Sequence, residues 1–284
     1  MKPLRRALLA LSLSALALTL AAGPALAQTA GAPPRDPLDS VMWADLAERF
    51  FRGRSVSFDA RITVQAPQVI EDQTQVPITV DASALGSVRR VMVFADLNPI
   101  PHVLTFTPAG GAPPFIAFRM KVEQATPVRA AAEMPDGSWR VGHTLLDAAG
   151  GGCSAPAHQR KSDAWASALG QVHGQAWRQG DGLTRLRLRL QHPMDTGLTP
   201  DNVPAFYISE LTLAGAEGEP LGRLELFEPV AENPVLTVKV RLPAASPRVL
   251  VRGRDTDGNL IQAAVAAGWK QGQIDGRTDG QHVR

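Results

Sequence analysis

The stretch Leu183-Thr184-Arg185-Leu186-Arg187-Leu188-Arg189-Leu190 decides the fold class. Leu186, Leu188 and Leu190 alternate with Arg185, Arg187 and Arg189, and a period of two places three leucines on one face of a strand and three arginines on the other. One buried face and one solvated face is the pattern of an antiparallel sheet packed on one side. The arginine row reads as the solvated face of that strand; recognition of an anionic partner or substrate is the alternative use of such a row.

Working outward, the same signature recurs. Downstream, strands are expected at Ala205–Leu213, Leu221–Phe227, Val235–Leu242, Arg248–Arg254 and Leu260–Val265. Upstream, they are expected at Ala60–Val64, Val76–Val80, Val88–Ala95, Val103–Phe106, Phe115–Val122, Val128–Glu133 and Trp139–Leu145. Turn formers such as Asn98-Pro99, Gly110-Gly111 and Asp136-Gly137 punctuate the gaps. Ahead of them, Asp36-Pro37 suits an N-cap followed by the first helical residue. Met42, Leu46 and Phe50 then recur every four residues, so a short amphipathic helix is expected over 37–51. The expectation is an all-β protein of two antiparallel sandwiches, 36–149 and 182–268. A Gly-rich, cysteine-bearing linker, 150–181, joins them, with a short helix around Asp163–Leu169, and a tail covers 269–284.

Residues 1–27 read as an export signal. Lys2, Arg5 and Arg6 precede an apolar run from Ala7 to Ala22, and Pro24-Ala25-Leu26-Ala27 offers a small-x-small cleavage site. The run is too short and too soon followed by that site for a membrane span. Arg5-Arg6 is compatible with either a twin-arginine or an ordinary secretory route. The expected location is therefore periplasmic. Beyond the signal the chain has 26 basic and 27 acidic residues, so the +2 of the whole sequence belongs to the leader. A nucleic-acid binder carries a basic surplus; this chain has none.

The chemistry narrows to one atom. A single cysteine among 284 residues excludes an intramolecular disulfide and any multi-thiolate zinc or iron–sulfur site. Unpaired thiols in oxidising compartments tend to be used. Cys153 follows Gly150, Gly151 and Gly152, whose missing side chains free the backbone and suit a mobile arm with nearby N–H groups favouring the thiolate. An incidental linker cysteine is the plainer alternative. His158, five residues on, is either a base or soft-metal ligand or a solvated linker residue. The six histidines make no HxxxH or HExxH spacing, and no metal site is expected. GxSxG, GxxxxGK[ST] and strand-borne GxGxxG motifs are absent. Asp255-Thr256-Asp257-Gly258-Asn259 lacks the sixth-position glycine and twelfth-position acid of a calcium loop, and reads as a hairpin turn.

Two sets of blocks, in order, resemble a known family. The first comprises Ala66-Pro67, Val76-Pro77-Ile78-Thr79-Val80, Asn98-Pro99-Ile100-Pro101, Ala125-Thr126-Pro127-Val128, Glu133-Met134-Pro135-Asp136-Gly137 and the glycine–cysteine segment. It is similar to SoxY. The second comprises His192-Pro193-Met194-Asp195-Thr196-Gly197-Leu198, Pro204-Ala205-Phe206, Glu232-Asn233-Pro234 and Asp255–Gly258. It is similar to SoxZ. The chain thus resembles a fused SoxYZ-like sulfur carrier of the kind associated with quinoprotein dehydrogenases, over about 40–145 and 183–268. The resemblance implies immunoglobulin-like sandwiches that pack on each other. It also implies a non-enzymatic carrier whose Cys153 covalently holds a thiosulfate-derived or sulfane sulfur, with no other cofactor. The implied partners are periplasmic sulfur-oxidising or quinoprotein dehydrogenase enzymes. The chain departs from the family after Cys153, where Ser154-Ala155-Pro156 replaces two glycines and 131 residues follow, so the arm is tethered at both ends. A non-covalent accessory or maturation module for such a dehydrogenase, with Cys153 dispensable, is the rival reading; a copper-handling pair of Cys153 and His158 is a third.

Overall fold

The computed structural model describes residues 32–179, 181–242 and 248–266. The expected signal, 1–27, and tail, 269–284, lie outside the described residues. Fifteen strands, two short α-helices and two 3-10 turns, Ser83–Leu85 and His158–Lys161, make up the regular structure of the described residues. The strands are β1 (Val56–Phe58), β2 (Thr63–Gln65), β3 (Val76–Asp81), β4 (Arg90–Ala95), β5 (His102–Pro108), β6 (Phe115–Met120), β7 (Thr126–Glu133) and β8 (Trp139–Leu146). Then come β9 (Val172–Arg178), β10 (Thr184–Leu190), β11 (Ile208–Gly215), β12 (Pro220–Leu226), β13 (Val235–Val240), β14 (Arg248–Asp255) and β15 (Leu260–Ala266). The helices are α1 (Trp43–Phe51) and α2 (Ala164–Ala168).

The strands form a nine-stranded sheet, ordered β1-β8-β7-β4-β5-β12-β11-β14-β15, and a six-stranded sheet, ordered β2-β3-β6-β13-β10-β9. Both sheets run through both halves of the chain. β5 pairs with β12 through Leu104↔Leu226 and Phe106↔Leu224, and β6 pairs with β13 through Ala117↔Thr237. One buried cluster collects Val91, Phe106 and Ile116 with Leu186, Leu224 and Val251.

Strand composition follows which faces are covered. In β10 every second residue is buried, with Leu186, Leu188 and Leu190 inward and the arginines outward. In β4, Val91 and Val93 join the main core, while Met92 and Phe94 form a second cluster with Trp43, Leu46, Ala47 and Phe51 of α1. Two covered faces explain why β4 is a continuous apolar run.

Helix α1 starts later than expected. Asp36 is not an N-cap: its carboxylate accepts the N–H groups of Leu38 and Ser40 in a turn, at 3.2 and 2.7 Å, and binds Arg129. The helix therefore opens at Trp43, whose ring lies 4.6 Å from the Arg129 guanidinium carbon. The linker expected over 150–181 also contains ordered strand: β9 pairs along the whole of β10. Its polar sequence concealed a strand with one side to solvent, and β1 was too short to signal itself. Asp255 makes the β14–β15 loop a closed turn, its Oδ1 accepting the N–H groups of Asp257 and Asn259.

Candidate functional site

The cysteine segment begins by running along the chain just after β6. The Gly151 and Gly152 N–H groups donate to the carbonyls of Glu123 and Val122, both at 3.0 Å, while Val122 N–H donates to Gln73. The glycines meet two different demands. Gly150 and Gly151 take positive φ angles of 106° and 83°, which side-chain-bearing residues rarely adopt. Gly152 has no such angle, but a Cβ there would lie 2.2 Å from the Gln73 carbonyl oxygen and 2.6 Å from that of Val122. These three positions permit a tight packed turn rather than the free arm expected from their composition.

Cys153 is consequently buried, 1% exposed. Its N–H and that of Ser154 both donate to Glu123 Oε2, at 2.9 and 3.1 Å, and the Ser154 hydroxyl donates to Oε1 at 3.0 Å. The Cys153 carbonyl accepts the Thr196 hydroxyl at 2.6 Å. Thus the first half supplies the carboxylate that holds the segment, and the second half supplies the hydroxyl that closes over it. Further along, Glu232 anchors the outgoing chain by accepting the N–H groups of His158 and Gln159, at 2.6 and 2.8 Å.

The electrostatics correct a second expectation. Burial pushes the Cys153 thiol up to about 12, and the Glu123 carboxylate adds to the rise. The nearby N–H groups do not favour a thiolate because Glu123 already takes them. Lys121 is the opposing cation. It is itself buried, donates to the carbonyls of Met194 and Glu228, and is lowered to about 8 by burial against the pull of Cys153 and three carboxylates. In this closed arrangement the sulfur is a protonated, shielded thiol, a poor nucleophile.

Met194, Asp195 and Thr196 form the wall opposite. Met194 holds a left-handed φ of 51°, which turns its carbonyl toward Lys121. Asp195 pairs with Arg160 at 2.8 Å, binding the segment that follows the cysteine to the same loop. His192 is buried and lowered to about 4 by burial; its Nδ1 accepts the Met194 N–H at 3.0 Å. His158 is not drawn to the thiol. Its ring is largely exposed and lies 3.8 Å from Glu232, while Cys153 is buried. Among the described residues no group of three His, Cys, Asp or Glu side chains could hold a metal ion.

Sequence reasoning missed Lys121, Glu123 and Glu232 as neighbours of the segment. Lys121-Val122-Glu123 reads as an ordinary strand end, and only the return of the chain at 150 gives it a partner. The block 192–197 was visible as a motif, but its contact with Cys153 was not.

Comparisons with known proteins agree with this division. Residues 47–153 match the family model "Sulfur oxidation protein SoxY", and residues 173–266 match "Sulphur oxidation protein SoxZ". No curated protein matches the chain. Among solved structures, the sulfur carrier protein SoxY from Chlorobium limicola f thiosulfatophilum shares 20% identity over 36% of this chain and 92% of its own, with a TM-score of 0.33. A superoxide reductase (neelaredoxin) from Ignicoccus hospitalis shares 13% identity over 32% of this chain and 93% of its own, with a TM-score of 0.28. The two family models cover most of the described residues, one on each half, and the chain belongs to the SoxY and SoxZ families as a single-chain fusion of the two, a sulfur-oxidation carrier.

Proposed function

We propose that Cys153 covalently carries a sulfur group for periplasmic oxidising enzymes, and that the protein itself performs no catalysis. The observation that carries this reading is positional. The sole thiol of the chain is the last residue of the SoxY match, on a three-glycine turn between the two halves. The periplasmic placement rests on the positive, apolar and small-residue pattern of residues 2–27.

Carriage requires the segment to open. Lifting it breaks three hydrogen bonds to the Glu123 carboxylate and one to Thr196, and returns the thiol to water, where its ordinary acidity is restored. Joining the Cys153 sulfur to thiosulfate removes two electrons, which a partner redox enzyme accepts. Exchange with tetrathionate needs no such partner. The thiolate attacks an inner sulfur, the central S–S bond breaks, and thiosulfate leaves with the electron pair.

Tetrathionate therefore supplies the test. Intact-mass analysis of the purified chain should show a reducible adduct mapping to Cys153 and absent from Cys153→Ser. A native protein that stays bare after prolonged exposure overturns the proposal. Burial of the thiol favours one other reading, an accessory or maturation module for a quinoprotein dehydrogenase. That reading predicts that Cys153→Ala retains full function in cells, whereas the carrier reading predicts its loss.

A further inference from the structure

The arginine row of β10 does not end at its own strand. Arg189 lies opposite His173 on β9 and Val235 on β13, and Arg187 lies opposite Gln175 and Thr237. The pairing of Thr237 with Ala117 carries the same register across to β6, where Arg119 points to the same outer face. Arg119 and the two β10 arginines come from different halves of the chain, and they line one open groove of about 960 Å³ with His173, His158 and Glu232.

The arginines of this face are not ion-paired. On the nine-stranded sheet, Arg90 is matched by Glu133 at 2.6 Å and Arg223 by Glu210 and Glu225, both at 3.2 Å, although Arg248 and Arg252 of β14 have no such pair among the described residues. Among the described residues, Arg119, Arg187 and Arg189 have no acidic partner on the six-stranded sheet. The two acids that line the groove leave the three arginines in excess and are held by other groups. Asp72 accepts the Thr74 N–H and hydroxyl, and Glu232 accepts His158 and Gln159 N–H. Beyond the leader the chain has 26 basic and 27 acidic residues, so this concentration is local.

We propose that the outer face of the six-stranded sheet is the docking surface for an acidic patch of a partner protein, with Arg119, Arg187 and Arg189 as its anchors. Extent favours a protein surface over a small ion. Arg119 stands on β6 and the other two on β10, about 10 Å away across the intervening β13, and Arg185 to Arg189 spans about 13 Å along β10. They spread over a shallow, open face rather than converging on one buried point. An excess of unpaired cations of this kind steers association and fixes orientation. The groove ends at Glu232, the anchor of the chain that leaves Cys153. A partner seated there stands beside the segment that must open, and in placing the partner at the carrier this inference rests on the proposed function.

A fluorescein-labelled oligoglutamate peptide, followed by anisotropy with the full chain, tests the surface. The variant Arg119→Gln/Arg187→Gln/Arg189→Gln should weaken binding about tenfold or more and flatten its salt dependence. The control Arg90→Gln/Arg223→Gln/Arg254→Gln, on the other sheet, should stay within about twofold. Equal loss in both variants, or none in the first, overturns the assignment. So does displacement of the peptide by sodium thiosulfate or sulfate beyond that by sodium chloride at matched ionic strength, which would mark a small-oxyanion site. Circular dichroism confirms folding, with Arg189→Gln as the single variant if the triple one unfolds. Cys153→Ser should bind the peptide like the parent. Loss of tetrathionate loading with peptide binding intact would therefore fault the carrier reading alone, and the reverse would fault the surface alone.

Discussion

Glu123 and Cys153 are joined through the backbone: the glutamate Oε2 accepts the cysteine N–H at 2.9 Å, while the same carboxylate raises the cysteine thiol's pKa. One side chain therefore both fastens the segment and suppresses its reactivity. In Glu123→Gln the anionic acceptor becomes neutral. A hydrogen bond to a charged group contributes about 1.5–3 kcal/mol, against about 1 kcal/mol for a neutral one. The alkylation rate of Cys153 by iodoacetamide at neutral pH should rise about tenfold, with a small fall in melting temperature. An unchanged rate would mean that Glu123 does not latch the segment.

Gly151 and Gly152 should respond differently to substitution. In Gly152→Ala the new methyl collides with two backbone carbonyls, at 2.2 and 2.6 Å, which cannot move aside as a flexible side chain can. The segment should lift, and alkylation of Cys153 should increase more than in Gly151→Ala. Gly151→Ala meets nothing within 4 Å and is strained only by its φ of 83°, costing about 1 kcal/mol. Mass-spectrometric alkylation kinetics on the two variants separate crowding from strain. Equal behaviour would contradict the tight contact at Gly152.

The pH dependence of stability has two opposing parts near the site. The Cys153 thiol is raised from 9.0 to about 12, so above pH 9 the unfolded chain gives up a proton that the native state keeps. Its contribution to stability is complete below pH 9 and falls as pH rises from 9 toward 12, by up to about 1.4 kcal/mol per unit. Lys121 has the reverse sign. It is lowered from 10.5 to about 8, so its effect on stability becomes more favourable from pH 8 to 10.5. Comparing the parent with Cys153→Ser isolates the first. The stability difference in urea melts should shrink or change sign between pH 8 and pH 10, and a constant difference would show that the thiol is not held protonated.

Much of the fold was legible because burial and period agree. β10 shows one covered face in its alternation, and β4 shows two in its unbroken apolar run. What escaped were features created by distant pairing. β9 has a half-buried, polar sequence that becomes a strand only against β10. Asp36 reads locally as a helix cap, yet its carboxylate turns to Arg129, 93 residues away. At the site, the cysteine and its glycines were conspicuous as composition. Their burial was not, because the cover is assembled from Glu123 and Thr196, 30 residues before and 43 after. Local sequence describes freedom of the backbone; it does not say what that freedom is used to pack against.

Arg129 carries the last prediction. Its guanidinium is fully buried on β7 and meets Asp36 at 2.7 Å and Asp96 at 2.8 Å, beneath the Trp43 ring of α1. Five donors in a rigid plane serve both carboxylates at once, which a lysine ammonium cannot reproduce. Replacing the cation leaves buried acids without a counter-charge, and breaking such a pair from one side costs about 3–5 kcal/mol. Arg129→Met should therefore lose that much stability in urea and release the 36–51 segment to proteolysis. Arg129→Lys should recover only part of it. The additional variant Asp36→Asn/Asp96→Asn/Arg129→Met removes both acids together with the cation and should be more stable than Arg129→Met alone. If it is not, the cost lies in lost packing under Trp43 rather than in the uncompensated charge.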